Sequence, residues 1–299
     1  MTVRYAIFCA DPLNERNAEP DFAGELPEAR AAGFTPILLN HDALDHDIDP
    51  AEALRKSRIT EPGRAVYRGW MLRSEAYRAL SDALLARGVK LVTTPAAYDA
   101  CHHAPRSYDA LKSFMPKTVW TPLDELDDPK AIGGALAQFG GSAVIIKDWV
   151  KSQAAGYWTE ACFIPDAADT DHAFRVIERF RELQADSLVG GIVFKSYVPL
   201  IPRGEPAYEH RAFVVGGRAV GCWPRSDAAG KHDGPPVELM TEVAARAPSP
   251  FASADFGVDD VGRWWLLEVG DGQVSGLPSE ATARPVFQEL AALMPDSFD

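Results

Sequence analysis

The chain has 299 residues, a formal net charge of −13 and a hydrophobic fraction of 46%, which is ordinary for a globular protein of two or three subdomains. Nucleic acids are bound through lysine and arginine patches, so the acidic balance argues against nucleic acid as a main partner. Four cysteines without CxxC spacing, no predicted signal peptide and no long apolar run favour a cytoplasmic protein with no membrane partner.

Residues 1–97 are predicted to form a small α/β domain with a parallel sheet, because strand and helix patterns alternate there. Apolar runs predict strands at VRYAIFCA, TPILLN, residues 64–68 and VKLVTTP. Helices are predicted over residues 26–33 and SEAYRALSDALLARG, with Ser74 as the N-cap of the second. The polar segment DPLNERNAEP is predicted to be a loop.

The remainder of the chain is predicted to be α+β with antiparallel sheets, because strands and helices come in mixed runs. Helices are expected over residues 106–114, 236–247 and 280–293, and in DPKAIGGALAQFG and DTDHAFRVIERFRELQ. Strands are expected over residues 117–120 and in SAVIIKDW and GGIVFKSYVPL. The segment EHRAFVVGGRAVGCW is predicted to be a hairpin that turns at Gly216-Gly217.

The segment SADFGVDDVGRWWLLEVGDGQVSGLP predicts a hairpin with two facing carboxylates. A two-residue turn at Val261-Gly262 places Asp255 opposite Glu268. Trp264 and Leu266 would share the face of these acids, and alternation predicts an opposite apolar face of Phe256, Val258, Trp265, Leu267 and Val269. Facing carboxylates repel unless a cation or proton separates them, and hard oxygen ligands suit Mg²⁺ or Mn²⁺. The alternative is an edge hairpin whose acids face water.

Basic residues on other predicted strands suit phosphate contact. Lys147 ends the buried strand VIIK, and the small polar loop after it carries Lys151 and Ser152. A solvated lysine is the alternative for Lys147. Arg211 lies in mid-strand, where it could contact a transferring phosphoryl group or form a structural salt bridge with Glu209.

The ordered segments VIIK, GGIVFKSYVPL, EHRAFVVGGRAV and ADFGVDDVGRWWLLEVGDGQ resemble the ATP-grasp fold. The RGW, VIIKD and EVGDGQVSGLP segments are similar to a bacterial ATP-grasp clade named for two arginines and a lysine. The resemblance covers about residues 100–295, and residues 1–95 resemble the α/β domain that usually precedes this fold. It implies an ATP-grasp domain over 98–299, with ATP held between a first lobe, 98–195, and a second lobe, 196–299.

The resemblance also implies roles for particular residues. Lys147 would contact the α- and β-phosphates of ATP, and the loop with Lys151 and Ser152 would cover them. Arg211 would stabilise the transferred phosphoryl group or an acylphosphate. Asp255 and Glu268 would bind Mg²⁺. Adenine and ribose contacts would come from the hinge segment and the loop after it, at Lys195, Ser196, Tyr197, Val198 and Glu205.

Two departures from the family pattern affect the expected site. Gly270 stands where the family often has a metal-binding Asn, so Asp271 or Gln273 would supply the third metal ligand, or a ligand is missing. The family's earlier phosphate-binding Lys has no clear counterpart, and His103 and Arg106 occupy that neighbourhood.

Most ATP-grasp enzymes join a carboxylate to an amine or a thiol through an acylphosphate. The resemblance therefore implies an ADP-forming, ATP- and Mg²⁺-dependent ligase with small-molecule or peptide carboxylate and amine substrates. Arg68 and Arg73, in YRGWMLRS, are candidates for holding a substrate carboxylate, with surface or interdomain salt bridges as the alternative. Two further alternatives are a small-molecule kinase on the same fold and an ATP-binding sensor module without chemistry.

Overall fold

The computed structural model of the chain describes residues 3–150, 154–202, 207–227, 229–277 and 280–295. Within these ranges the strands form three sheets, one in the N-terminal domain and one in each of two lobes. This confirms the prediction of an α/β domain followed by α+β lobes with antiparallel sheets. None of the helices in the described part of the chain is long and apolar enough to cross a membrane.

The N-terminal domain alternates strands and helices: β1 (Val3–Asp11), β2 (Asn14–Ala18), α1 (Pro20–Ala23), α2 (Leu26–Ala31), β3 (Thr35–Leu39), α3 (His41–Asp45), α4 (Pro50–Ala53), β4 (Gly63–Arg68), α5 (Ser74–Leu85) and β5 (Val89–Leu91). Strands β3, β1, β4 and β5 are neighbours in that order, and they are parallel, as predicted. The predicted polar loop is wrong, because β2 pairs antiparallel with the end of β1. As a mostly exposed edge strand, β2 carries no apolar alternation that would reveal it. Ser74 is the first helical residue of α5, and the N-cap is Arg73.

Two helices, α6 (Pro95–His102) and α7 (Ala104–Leu111), follow the first domain and precede the first-lobe sheet. That lobe comprises β6 (Thr118–Pro122), α8 (Pro129–Ala137), β7 (Val144–Asp148), α9 (Ala154–Tyr157), β8 (Phe163–Ile164), α10 (Thr170–Gln184) and β9 (Gly191–Ser196). The sheet order is β6-β9-β7-β8, and all its pairs are antiparallel. Helices α8 and α10 cover one face, where Ile146, Phe180 and Phe194 form the core. The other face is left for the cleft.

The second lobe comprises β10 (Glu209–Val215), β11 (Arg218–Pro224), α11 (Val237–Ala245), β12 (Phe251–Val258), β13 (Trp264–Asp271) and α12 (Glu280–Ala292). Its antiparallel sheet has the order β11-β10-β12-β13. The predicted turn between β10 and β11 is confirmed, with φ of +59° at Gly216 and +76° at Gly217. Positive φ at both central residues is what a tight hairpin turn of this hand requires, and glycine adopts it without strain.

The pairing of Asp255 with Glu268 is confirmed, but the predicted faces beyond it are wrong. A bulge leaves Leu267 without a partner in β12, so Phe256 pairs with Leu266. One extra residue exchanges the two faces of a strand. Leu266 and Trp264 consequently join the hydrophobic cluster of Phe256. The predicted two-residue turn is also wrong, because the N–H of Asp259 donates to the carbonyl of Arg263 around a longer loop.

The N-terminal domain and the second lobe share one hydrophobic core. Phe287 of α12 packs with Phe8 and Phe34 of the first domain, and Phe213 and Phe251 of the second-lobe sheet belong to the same cluster. Helices α6 and α7 also pack against the second lobe, through Cys101 and Leu111 in the cluster of Leu266 and Val269. Cys101 and Leu111, at the start of the predicted first lobe, thus pack against the second-lobe sheet, whereas Tyr98 packs in the core of the N-terminal domain.

Arg68, a predicted substrate-binding residue, instead joins the first domain to the second lobe. Its side chain is 0% exposed, and its guanidinium forms a salt bridge with the carboxylate of Glu25. The same guanidinium donates to the carbonyls of Gly272 and Ser275 in the loop after β13. Because these contacts consume its donors in the interior, Arg68 is not available to a substrate carboxylate.

Asp271, the predicted third metal ligand, lies at the same junction. It is three residues after Glu268 in β13, so strand alternation places it on the opposite face. Its buried carboxylate accepts a 2.7 Å hydrogen bond from the backbone N–H of Gln273, whose side chain contacts Tyr77. Burial raises the pKa of Asp271 to about 7, although the Gln273 bonds oppose that rise. Neither Asp271 nor Gln273 is brought to the facing carboxylates.

Replacing Arg68 with Leu is expected to lower the free energy of unfolding by roughly 3–5 kcal/mol, because Glu25 would stay buried without its counter-ion. Urea denaturation measures the difference. The control Arg73→Leu, at a half-exposed guanidinium, should change stability by about 0.5 kcal/mol or less. The double variant Glu25→Leu/Arg68→Leu should recover much of the loss. An Arg68→Leu protein as stable as the wild type would contradict this role.

Asp271→Asn is expected to alter how stability depends on pH. Because the folded protein binds the Asp271 proton more tightly than the unfolded chain, wild-type stability falls as the pH rises towards 7. The amide has no such proton, so the stability of the variant relative to wild type should increase by about 2 kcal/mol between pH 5.5 and 8.5. Urea denaturation across this range measures it, with exposed Asp124→Asn as control. A difference that is constant with pH would refute the prediction.

Candidate active site

Two lysines project from the first-lobe sheet towards the second lobe. Along β7, Val144, Ile146 and Asp148 are buried, so Lys147 lies on the opposite, cleft face. On the neighbouring strand β9, Lys195 pairs with Ile145, which shares the cleft face with Lys147. Alternation on two adjacent strands therefore places both ammonium groups on one surface.

Both lysines contact the bulged part of β13. The Nζ of Lys147 lies 2.5 Å from Oε1 of Glu268. The Nζ of Lys195 donates to the carbonyl oxygen of Leu267, the residue that the bulge removes from the strand ladder. On this edge the N–H of Leu266 donates to the carbonyl of Phe114, at 2.9 Å. The bulge thus presents a carbonyl and a carboxylate to two cations from the other lobe.

The charges of this group are shifted by burial and by one another. Burial lowers the pKa of Lys195 to about 8, the Glu268 carboxylate opposes that shift, and the Lys147 ammonium adds to it. Desolvation of its carboxylate in the cleft acts to raise the pKa of Glu268, although about half of the side chain is exposed. Lys147, Lys195 and Arg211 together hold that pKa below its usual value. Glu268 is therefore a carboxylate anion at neutral pH.

Asp255 is bound to two arginines. Nε and Nη2 of Arg211 donate to Oδ1 and Oδ2 of Asp255, at 2.7 and 2.8 Å. Nη1 of Arg225 donates to Oδ2 at 2.9 Å, and the same nitrogen lies 3.4 Å from the carboxylate of Glu209. The alternative of a Glu209–Arg211 salt bridge is thus not what forms. Sequence reasoning missed Arg225, although the β10–β11 register pairs His210 with Pro224 and so brings the residue after Pro224 close to Glu209.

The Gly270 position lies on the same strand face as Glu268, and its surroundings are crowded. A Cβ there would meet the hydroxyl of Ser253 at 2.8 Å and that of Ser275 at 3.5 Å. These two hydroxyls are themselves hydrogen-bonded at 2.7 Å. A side chain at residue 270 would therefore disturb a buried pair, which accounts for glycine at this position.

The carboxylates fit magnesium only in part. Among the described residues, no group of three or more His, Cys, Asp and Glu side chains is arranged to hold a metal ion. Mg²⁺ needs no such group, because it commonly takes one or two carboxylates together with substrate phosphates and water. Glu268 is an ionised, half-exposed carboxylate and suits this role. Asp255 is buried and engaged by guanidinium groups, so it does not fit without rearrangement.

The predicted hinge has part of its backbone already engaged. The N–H of Ser196 donates to the carbonyl of Lys117, and that of Tyr197 donates to the carbonyl of Ala143. The Tyr197 ring packs edge-on against Phe163 and near Trp158, and these rings form a partly exposed aromatic surface next to the lysines. Predicted site residues Lys151, Ser152 and Glu205 lie outside the described residues.

The remaining predicted residues are distributed around the cleft and the first domain. His103 packs against Trp149, and burial lowers its pKa. Arg106 lies 3.7 Å from the carboxylate of Asp99. Arg73 is at the start of α5, where it pairs with Asp45 and Glu75. His102, to which sequence reasoning assigned no role, lines the cavity between the lobes, as do Lys147, Lys195 and Glu268.

Comparisons with known proteins agree with this architecture. A family model of an ATP-grasp domain matches residues 138–291, and it describes family 3 of the clade named for two arginines and a lysine. A search of curated proteins finds no match.

Solved structures provide more distant relatives. A RimK domain ATP-grasp protein from Sphaerobacter thermophilus is 15% identical, with a TM-score of 0.65 over 98% of this chain and 99% of that one. The D-cycloserine synthetase DcsG is also 15% identical, with a TM-score of 0.64 over 97% and 99% of the two chains. The ATP-grasp ligase PsnB, in a complex with a precursor variant, Mg and ADP, is 14% identical, with a TM-score of 0.58 over 98% and 97%. At these identities the likeness shows the fold. With the family match over more than half of its length, the chain belongs to family 3 of the ATP-grasp clade named for two arginines and a lysine, and the predicted superfamily and clade are confirmed.

Proposed function

We propose that the protein is an ATP- and Mg²⁺-dependent ligase that joins a carboxylate to an amine through an acylphosphate, with ADP and phosphate as products. The observation that carries the proposal is the convergence of Lys147 and Lys195 from one lobe with Glu268 and Arg211 from the other, in a chain of the ATP-grasp family. Cations from both lobes at one cleft suit the binding and transfer of a phosphoryl group.

The first step is attack of a substrate carboxylate oxygen on the γ-phosphorus of ATP, which breaks the bond to ADP and forms the acylphosphate. Lys147 and Lys195 bind phosphate oxygens, and Lys147 must exchange its contact with Glu268 for a phosphate when ATP enters. In the second step the amine attacks the acyl carbon, the bond from that carbon to the phosphate oxygen breaks, and the proton that the amine loses passes to the leaving phosphate. Arg211 stabilises the charge on the transferred group.

Magnesium, or manganese, would neutralise phosphate charge when bound, and Glu268 is the residue best placed to hold it. Other predicted roles remain part of the proposal. Lys151 and Ser152 would cover the phosphates, and Glu205 would contact the ribose. The backbone of the segment Lys195, Ser196, Tyr197 and Val198 would contact adenine, while the Lys195 ammonium is directed at phosphate. His103 and Arg106 would assist at the phosphates, and Arg73 would approach the substrate.

The substrates proposed are a small-molecule or peptide carboxylate and an amine. Structural relatives include a D-cycloserine synthetase and a ligase whose structure was solved in a complex with a precursor peptide, which supports both size classes. Cytoplasmic ATP would supply the phosphoryl group. The proposed mechanism is the same for small-molecule and peptide substrates, because the lysines, Glu268 and Arg211 act on phosphate and carboxylate groups that both kinds of reaction contain.

Hydroxylamine tests the acylphosphate. With ATP, Mg²⁺ and a panel of carboxylates, the wild type is expected to release ADP and form a hydroxamate, since hydroxylamine attacks the activated acyl carbon. Glu268→Gln should lower the rate at least about a hundredfold, as loss of charge at a metal ligand does for phosphoryl transfer. Glu178→Gln, at an exposed glutamate of α10, is the control. A stable phosphorylated substrate without hydroxamate would indicate a kinase, and ATP left intact throughout would indicate a sensor.

Lys147→Met is expected to weaken ADP binding roughly ten- to a hundredfold, because a charge-assisted hydrogen bond to phosphate is lost. Isothermal titration calorimetry with ADP measures the change. Lys90→Met, at an exposed lysine of the first domain, should bind ADP as the wild type does. Equal affinities of the Lys147 variant and the wild type would remove Lys147 from the phosphate site.

A further inference from the structure

The carboxylate of Asp255 has most of its hydrogen-bonding capacity occupied by arginine. A carboxylate offers about four acceptor positions, and Arg211 and Arg225 together fill three of them. Arg211 approaches through two nitrogens on two oxygens, which is the most favourable arrangement for this pair. The side chain of Asp255 is only 8% exposed, so little water competes with these bonds.

Glu268 differs from Asp255 although the two residues pair across the sheet. The side chain of Glu268 is 52% exposed, and its partner is the single ammonium of Lys147. Lys147 belongs to the other lobe, whereas Arg211 and Arg225 belong to the same sheet region as Asp255. The two carboxylates are thus held by different cations, one from across the cleft and two from their own lobe.

A divalent cation at Asp255 would lie beside two guanidinium charges. To enter, it would have to displace at least one arginine or bind within a few ångströms of like charge in a poorly hydrated site. Glu268 also lies near cations, namely Lys147, Lys195 and Arg211. Unlike Asp255, however, it is half exposed, and an entering phosphate can replace it as the partner of Lys147. The described contacts therefore favour Glu268, and disfavour Asp255, as a metal ligand.

The arginines held by Asp255 keep donors that Asp255 does not use. Each guanidinium has five N–H donors, so the two arginines have ten between them. Asp255 accepts from three of these, two on Arg211 and one on Arg225. Arg225 is 44% exposed and is also fixed from the side by Glu209. Two oriented guanidinium groups at a partly open position form a receptor for a planar or tetrahedral oxyanion.

We propose that Asp255 is a positioning residue rather than a magnesium ligand: it orients Arg211 and Arg225 as a paired receptor for the oxyanion that reacts. This inference rests on the proposed ligase function for the identity of the oxyanion, namely the substrate carboxylate, its acylphosphate and the released phosphate. The metal is then held by Glu268 and phosphate oxygens. Asp255 acts through the arginines and touches neither metal nor nucleotide.

Calorimetry separates the two roles without a turnover assay. ADP is titrated into each protein with and without MgCl₂, and inorganic phosphate is then titrated into the MgADP complex. In Asp255→Asn, the gain in ADP affinity on adding Mg²⁺ should stay within about twofold of the wild type. The affinity for phosphate should fall roughly ten- to a hundredfold, because the arginines lose their orientation. Glu268→Gln should lose the gain from Mg²⁺.

Three further variants serve as controls for the comparison of Asp255→Asn with Glu268→Gln. Arg225→Met should weaken phosphate binding and leave the Mg²⁺ gain intact. Arg211→Met/Asp255→Asn removes both charges of the buried pair, so it keeps the Mg²⁺ test available if Asp255→Asn fails to fold. Glu28→Gln breaks a comparable two-nitrogen pair with Arg284 on the C-terminal helix and should change neither affinity.

The outcomes are distinct. If the Asp255 variants lose the Mg²⁺ gain as fully as Glu268→Gln does, Asp255 is a metal ligand and the inference is wrong. If they bind phosphate as the wild type does, the receptor is wrong. If the wild type binds no ADP with or without Mg²⁺, the proposed ligase function fails first, and the inference falls with it.

Discussion

The cleft depends on the contact between two lysines of the first lobe and the β-bulge in strand β13 of the second lobe. Strand β13 could not offer both the Leu267 carbonyl and the Glu268 carboxylate to one partner surface if its ladder were regular, because the carbonyl would be used by β12. Because the bulge takes Leu267 out of the pairing with β12, its carbonyl and the Glu268 carboxylate both face outward at the edge of the sheet. Lys147 and Lys195 bind these two oxygen groups from the other lobe. The same contacts join the two lobes and keep Glu268 ionised.

Charge is distributed in this cleft by pairs rather than by a continuous basic patch. Lys147 neutralises Glu268, and Arg211 and Arg225 face Asp255 and Glu209. An anionic ligand therefore enters by exchanging partners, which costs less than desolvating unpaired cations would. Lys195 differs, because its partner is a carbonyl and its pKa is lowered to about 8 by burial. A phosphate bound beside it would raise that pKa and hold Lys195 in its charged form.

The sequence predicts best what is local. The Gly216-Gly217 turn follows from turn chemistry, and the structure has it. The Asp255–Glu268 pairing is also present, but the two-residue turn from which it was predicted is not: the bulge at Leu267 offsets the longer loop. The bulge at Leu267 escapes prediction, because Lys195 and Phe114, far away in the chain, complete its bonds. Arg68 and Asp271 were predicted to be site residues because both are charged and lie in the segments YRGWMLRS and EVGDGQVSGLP. Their burial is decided by how the first domain meets the loop after β13, and no local pattern encodes that docking.

The shared core of the N-terminal domain and the second lobe has a consequence for how the chain can be divided. Phe287 and its neighbours on α12 pack against Phe8 and Phe34, so a fragment that begins near residue 98 would carry a helix with its apolar side uncovered. Such a fragment would also lack Arg68, and with it the donor that holds the carbonyls of the loop after β13. The segment that matches the ATP-grasp family, residues 138–291, would likewise expose the part of this core that the first domain covers. Recombination or domain grafting near residue 98 would separate apolar surfaces of the first domain and α12 that are buried only against each other.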